Sequence, residues 1–94
     1  MLTGKQKRYL RSLAVNMKPV TQIGKDGVTD AVLESLNDAF NNKELIKINL
    51  LKTCEDDKNA VAEEITSSIK CELIQIIGKT IVLYKRNKEP KIIF

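Results

Sequence analysis

Apolar residues in this sequence switch repeatedly between helical spacing and strand-like alternation, with a proline, a glycine or a polar cluster at each switch. Segments of that kind, in that order, build one sheet covered by helices. Thr3 followed by Gln6 is a capping-box pair that opens a helix through about Val15, with Leu10, Leu13, Ala14 and Met17 on its apolar side. Pro19 separates it from a short strand over residues 20–23 that stops at Gly24. Thr29 is the expected N-cap of a second helix, whose apolar stripe is Val32, Leu33, Leu36, Ala39 and Phe40. Residues 45–50 read as a strand. The acids of residues 54–57 suit a helix start, and Ala60, Val61, Ile65 and Ile69 mark a third helix, with Ala62 and Ser68 beside them. Residues 73–77 and 80–84 are strands joined by a tight turn at Gly78-Lys79.

The expected class is therefore α/β, in the order helix, strand, helix, strand, helix, strand, strand. Alternating elements imply crossovers, and the terminal hairpin introduces an antiparallel edge. With 94 residues the chain suits a single domain over residues 1–94, and its tail over 87–94 is either a short extended piece around Ile92, Ile93 and Phe94 or a frayed end.

The net charge of +4 hides a segregated distribution. Residues 1–25 carry Lys5, Lys7, Arg8, Arg11, Lys18 and Lys25 and no acid, for +6. Residues 26–78 carry five lysines against eleven acids, for −6, and residues 79–94 carry Lys79, Lys85, Arg86, Lys88 and Lys91 against Glu89, for +4. If the fold brings the two basic ends onto one face, they form a positive surface backed by a negative one, suited to a polyanion. The alternative is that the charge runs are plain solvated faces.

Several function classes are disfavoured. Histidine is absent, and Cys54 and Cys71 stand far apart, so zinc patterns and the usual catalytic triads have no residues to use. The pairs Asp56-Asp57 and Glu63-Glu64 are adjacent and do not converge as an i,i+4 pair would; Glu34 and Asp38 have that spacing but read as a solubilising surface. The chain is expected to be no enzyme, to use no cofactor or metal, and to work in the cytoplasm with both thiols reduced. No apolar run approaches membrane-spanning length.

The segment with the most functional promise is Gly24-Lys25-Asp26-Gly27, between a strand and the helix capped by Thr29. Two glycines let backbone approach a partner, the helix start offers free amides, and phosphate oxygen is the natural guest. Lys25 adds charge, whereas Asp26 opposes phosphate unless it turns to cap an amide. The competing reading is a strand-to-helix turn that uses glycine only for its dihedrals. Gly78-Lys79-Thr80 lies between strands and lacks the helix of a nucleotide-binding loop, so Lys79 is a hairpin-tip cation. Tyr84 either stacks on a base or fills an edge of the core, with the core role favoured, and Tyr9 faces the same choice.

Residues 3–8, Lys18-Pro19-Val20, Ile23 to Thr29, Glu44 to Lys47 and Gln75 to Tyr84 resemble, in joint order and spacing, the CRM domain family (chloroplast RNA splicing and ribosome maturation), and most closely its stand-alone bacterial YhbY-type members. The resemblance implies a four-stranded mixed sheet with three helices, similar to the carboxy-terminal domain of a bacterial translation initiation factor. It implies that Gly24 to Gly27 is the family's GxxG loop, comparable to the phosphate-contacting loop of KH domains. It also implies association with precursors of the large ribosomal subunit, as for bacterial members; plant relatives serve in intron splicing.

The expected function is thus gripping the phosphate backbone of structured ribosomal RNA in assembling large subunits (pre-50S particles). The expected contacts are Gly24, Lys25, Asp26, Gly27 and Thr29 of the loop and helix start, Lys5, Lys7, Arg8 and Arg11 of the first helix, and Lys79, Lys85 and Arg86 at the far side. Ribosomal proteins are further candidate partners, while a membrane or a small-molecule substrate is not expected. A protein-interaction module on ribosomal particles is the main alternative, followed by a nucleotide binder and a DNA-binding domain.

Overall fold

The first helix begins where its sequence says it should. In the computed structural model, which describes residues 2–87 and residue 92, the Gln6 amide donates to Thr3 Oγ1 at 3.1 Å and the Thr3 amide donates to Gln6 Oε1 at 2.9 Å. This reciprocal cap opens α1, Gly4–Ala14. Strand β1, Thr21–Ile23, is followed by α2, Asp30–Asn42, and the Thr29 hydroxyl accepts from the Val32 amide at 3.2 Å. Strand β2 is Leu45–Leu50, and α3 spans Lys58–Ser68. Strands β3, Glu72–Ile77, and β4, Thr80–Tyr84, complete the order. Gly78 has φ +56° and Lys79 keeps a negative φ, the pattern a two-residue type II′ hairpin turn requires.

The four strands form one mixed sheet in the order β1-β2-β4-β3. β1 runs parallel to β2, whereas β4 is antiparallel to both β2 and β3. The β2–α3–β3 crossover therefore skips a position, and the hairpin returns β4 into the gap. Helix α1 packs on one face of the sheet, while α2 and α3 cover the other. Ile46, Ile48, Ile81 and Leu83 point into the larger core with Leu36, Phe40, Val61 and Ile65, while Leu45, Val82, Tyr84 and Ile74 pack under Leu10 and Ala14 of α1. A register shift between Leu73 and Gln75 inserts an extra residue in β3.

The structure corrects some packing expectations. Ala60 is exposed, and the third apolar stripe is Val61, Ala62, Ile65 and Ile69. The cause is the helix start: Asp57 caps α3 by accepting from the amides of Asn59 at 3.1 Å and Ala60 at 3.3 Å, which leaves Ala60 on the solvent side of the first turn. Leu13 lies at the margin of the α1 stripe and is also exposed. Lys47, in the middle of a mostly apolar strand, donates Nζ to the carbonyls of Ala14 at 3.2 Å and Met17 at 3.3 Å, so a cation closes the carboxyl end of α1.

Glu44 is the one buried charged residue among those described, at 2% exposure. Its carboxylate accepts from the amides of Asn87 at 2.9 Å and Ile92 at 2.7 Å, and its carbonyl accepts from the Lys85 amide at 2.8 Å. The chain beyond β4 is thereby tied back beside β2, and Ile92 packs at the margin of the α1 core. Lys88, Glu89, Pro90, Lys91, Ile93 and Phe94 lie outside the described residues.

Removing one carboxylate oxygen, as in Glu44→Gln, leaves a buried amide without its acceptor and should cost about 1–3 kcal/mol in urea unfolding, with the Asn87 or Ile92 amide losing hydrogen-exchange protection. Burial pushes the Cys71 thiol from 9.0 up to about 11, with Lys85 opposing and Glu72 assisting. Because the neutral thiol is the form favoured by folding, its contribution is intact below pH 9 and is lost as pH rises through 11. At pH 8, iodoacetamide should modify Cys71 about 100-fold more slowly in the folded chain than in urea, since each unit lowers the thiolate fraction tenfold.

Candidate nucleic-acid interface

Three connections meet at one end of the sheet. The Leu51 amide donates to the Ile23 carbonyl at 2.8 Å, and the Leu50 amide donates to the Lys79 carbonyl at 2.7 Å. The turn after β1, the segment after β2 and the tip of the β3–β4 hairpin therefore form a continuous rim. Within it the Gly27 amide donates to the Gly24 carbonyl at 3.1 Å, which closes the Gly24-Lys25-Asp26-Gly27 turn and leaves Lys25 and Asp26 exposed.

The two glycines answer to different demands of this geometry. A Cβ at Gly24 would stand 3.3 Å from Thr53 Oγ1 and 3.4 Å from Leu51 Cδ1, so a side chain there fits only if Thr53 gives way slightly. Gly27 has φ +66°, and a Cβ there would collide with the Asp56 carboxylate. Beyond the turn, the amides of Asp30 and Ala31 lie in the first turn of α2, where no intrahelical carbonyl is available. The Thr29 oxygen accepts in its cap, and its hydroxyl proton is what it can offer to a phosphate oxygen.

The rim has the shape of a phosphate site but a mixed charge. Lys25 is accompanied by Asp26, Asp30 and Asp56, and Asp26 caps no amide among the described residues. The acid-free group of cations lies elsewhere, on α1, which carries Lys5, Lys7, Arg8 and Arg11, whereas α2 carries Asp30, Glu34 and Asp38 and no cation. Part of the sequence's charge segregation thus becomes layering, with the cations of α1 on one side of the sheet and the acids of α2 on the other.

The α1 cations divide between two flanks. Arg11 and Val15 border a cleft floored by Val82 and Thr80 of β4 and by Gln75 and Ile77 of β3. Lys7 stands one turn before Arg11 on the same flank and is likewise half-buried, with Arg8 exposed next to it. Lys5 is exposed on the outward side, one turn before Tyr9. Lys79 is exposed at the rim. Lys85 and Arg86 follow β4 at the other end of the sheet, with Lys85 about 20 Å from Lys79 across the five residues of the strand. The structure therefore joins Gly24 to Gly27, Thr29 and Lys79 at the rim, keeps Lys7, Arg8 and Arg11 on α1, with Arg11 over the Thr80 and Ile77 end of the hairpin, and places Lys85 and Arg86 apart.

Tyr84 is only 4% exposed and packs under α1, as its core reading anticipates. Burial raises its phenol pKa, Glu44 adds to the rise and Arg86 opposes it. The polar residues of the uncovered half-sheet are absent from the sequence-based site: Gln22, Asn49, Thr80 and Gln75. Their signal was a polar residue at alternate strand positions, which strand periodicity alone assigns to solvent.

Among the described residues, no group of three or more Cys, Asp or Glu is placed to hold a metal ion, and no helix is long and apolar enough to cross a membrane. Residues 2–85 match the CRS1 / YhbY (CRM) domain. The Bacillus subtilis (strain 168) protein YqeI, described as a probable RNA-binding protein, is 50% identical over 97% of this chain and 95% of its own length. A Haemophilus influenzae protein described as an RNA-binding protein is 35% identical over 97% of this chain and 92% of its own. The solution structure of the Staphylococcus aureus protein SAV1595 superposes with a TM-score of 0.82 at 48% identity, covering 97% of this chain and 95% of that one. With one family match spanning nearly all of the described fold, and relatives aligned end to end, the chain belongs to the CRS1/YhbY (CRM) family of RNA-binding domains as a YhbY-like member.

Proposed function

We propose that this chain binds structured ribosomal RNA by its phosphate backbone and acts in the cytoplasm during assembly of the large ribosomal subunit. The observation that carries the reading is the acid-free cationic helix α1, whose Arg11 borders the ends of β4 and β3 that lead to the hairpin tip of the rim. The two parts divide the work. Gly24 and Gly27 let main-chain amides approach a phosphate oxygen, while Lys7, Arg8 and Arg11 supply the charge that the rim, with its three carboxylates, supplies poorly. Such contacts fix the position of RNA and carry little sequence information, so shape and single-stranded features must provide selectivity. Lys79 extends the same surface. Lys85 and Arg86 reach an RNA only if it spans the length of β4.

The descriptions of the Bacillus subtilis and Haemophilus influenzae relatives support RNA as the ligand. The acidic outer side of α2 supports a secondary role, the docking of a basic ribosomal protein on the same particle.

Replacing Lys7 and Arg11 together by alanine should weaken binding to ribosomal RNA fragments and lower the slope of log K against log salt by about 1.5, whereas Lys25→Ala should lower it by less than about one unit. Equal effects of Lys85→Ala with Arg86→Ala would move the grip to the other end of the sheet. In cells, crosslinks should cluster on precursor large-subunit RNA and vanish when Gly24, Lys25 and Gly27 are changed together in a variant whose melting shows that it still folds. Association with ribosomal particles that survives without any loop-dependent RNA crosslink would instead assign the contact to proteins.

A further inference from the structure

We propose that the cleft between α1 and the uncovered half of the sheet receives one unstacked nucleobase from a single-stranded stretch of the bound RNA. The inference rests on the RNA-binding reading and names where bases, as distinct from phosphates, are met.

The strand register defines the surface. Val82 pairs with Lys47 on one side and Gln75 on the other, and Thr80 pairs with Asn49 and Ile77. Residues two apart share a face, so these form two rows about 7 Å apart along the strands, both on the α1 side. Arg11, Ala14 and Val15 of the helix overhang the first row and enclose a cleft of about 120 Å³. The second row runs out from under the helix toward the rim.

The chemistry of the lining suits a base. Ile77 is 60% exposed and Val15 72%, an apolar pair at the mouth that water solvates poorly and a flat ring would cover. Arg11 is half-buried with no hydrogen bond or ion pair among the described residues, and a guanidinium plane there can stack on a base. Gln75 and Thr80 make no side-chain hydrogen bond among the described residues. Each offers both a donor and an acceptor, as the edge of a nucleobase requires. No carboxylate lines the cleft. Lys7 and Arg8 on the flank and Lys79 at the hairpin tip stand where the phosphates on either side of an inserted base would run. That charge complementarity favours a nucleotide over a peptide segment. The β3 bulge contributes directly, because the register shift turns Gln75 and Ile77 onto this face together with Ile74.

The test uses the full chain and a single-stranded RNA of about eight nucleotides, intact or with one base removed at successive positions. Loss of the critical base should weaken binding by the wild-type chain about tenfold, as for stacking sites elsewhere. Gln75→Ala with Thr80→Ala should bind the intact RNA about tenfold more weakly, ignore the missing base and keep the wild-type salt slope, since no charge has been removed. Ile77→Ala, at an exposed position, provides the same readout should the double variant fold poorly. Wild-type binding that is indifferent to base removal at every position would overturn the subsite and leave the phosphate grip standing, as would variants that still discriminate fully. Absence of binding to any RNA, structured or single-stranded, would overturn both.

Discussion

The fold depends on a strand that must satisfy two cores at once. β2 lies between β1 and β4, and its alternation sends Ile46, Ile48 and Leu50 toward α2 and α3 while Leu45 packs beneath α1. A one-residue slip would exchange the two sets and drive Lys47 into the larger core. Lys47 itself gives the register a polar check, because its ammonium reaches the carbonyls at the end of α1 only from the face on which it stands. Register and helix docking are thus set by the same side chain. Glu44, one residue before the strand, fixes the chain that follows β4 in the same way.

That arrangement explains how the surface acquires its polarity. Among the described residues, helix α1 is the lone helix on its side of the sheet and covers part of it, so Arg11 borders open strand surface. Helices α2 and α3 close over the other side and hold the larger core, and their outward faces carry the acids. The division between a shaped but electrostatically mixed rim and a charged helix flank follows from this layering. Helix–sheet packing determines the distance between them, so RNA that touches both must conform to a fixed span.

Most of the architecture was legible in the sequence, because local signals and long-range packing agree. The Thr3–Gln6 and Thr29 caps, the alternation through Leu45–Leu50 and the Gly78-Lys79 turn each specify their element without help from elsewhere. What escaped depends on residues distant in the chain. Nothing near Glu44 announces that its carboxylate will meet amides at Asn87 and Ile92, and nothing near Gly27 announces Asp56 as its neighbour. The glycine turn was identifiable as a candidate site from its own residues. The placing of Asp56 beside it, the separation of Lys79 from Lys85 and Arg86, and the polar half-sheet required the tertiary fold, which periodicity does not contain.

The two outer strands of the sheet have a consequence for behaviour at high concentration. β1 has three residues, and β3 carries the register shift, so neither presents a long, flat row of unpaired amides and carbonyls. Such rows let separate molecules join edge to edge into fibres, and brevity and bulging are the ordinary defences against it. A small basic protein that gathers on a long polyanion is brought close to copies of itself far above its average concentration in solution. With both described sheet margins blunted, crowding on such a scaffold brings no long unpaired strand edges together.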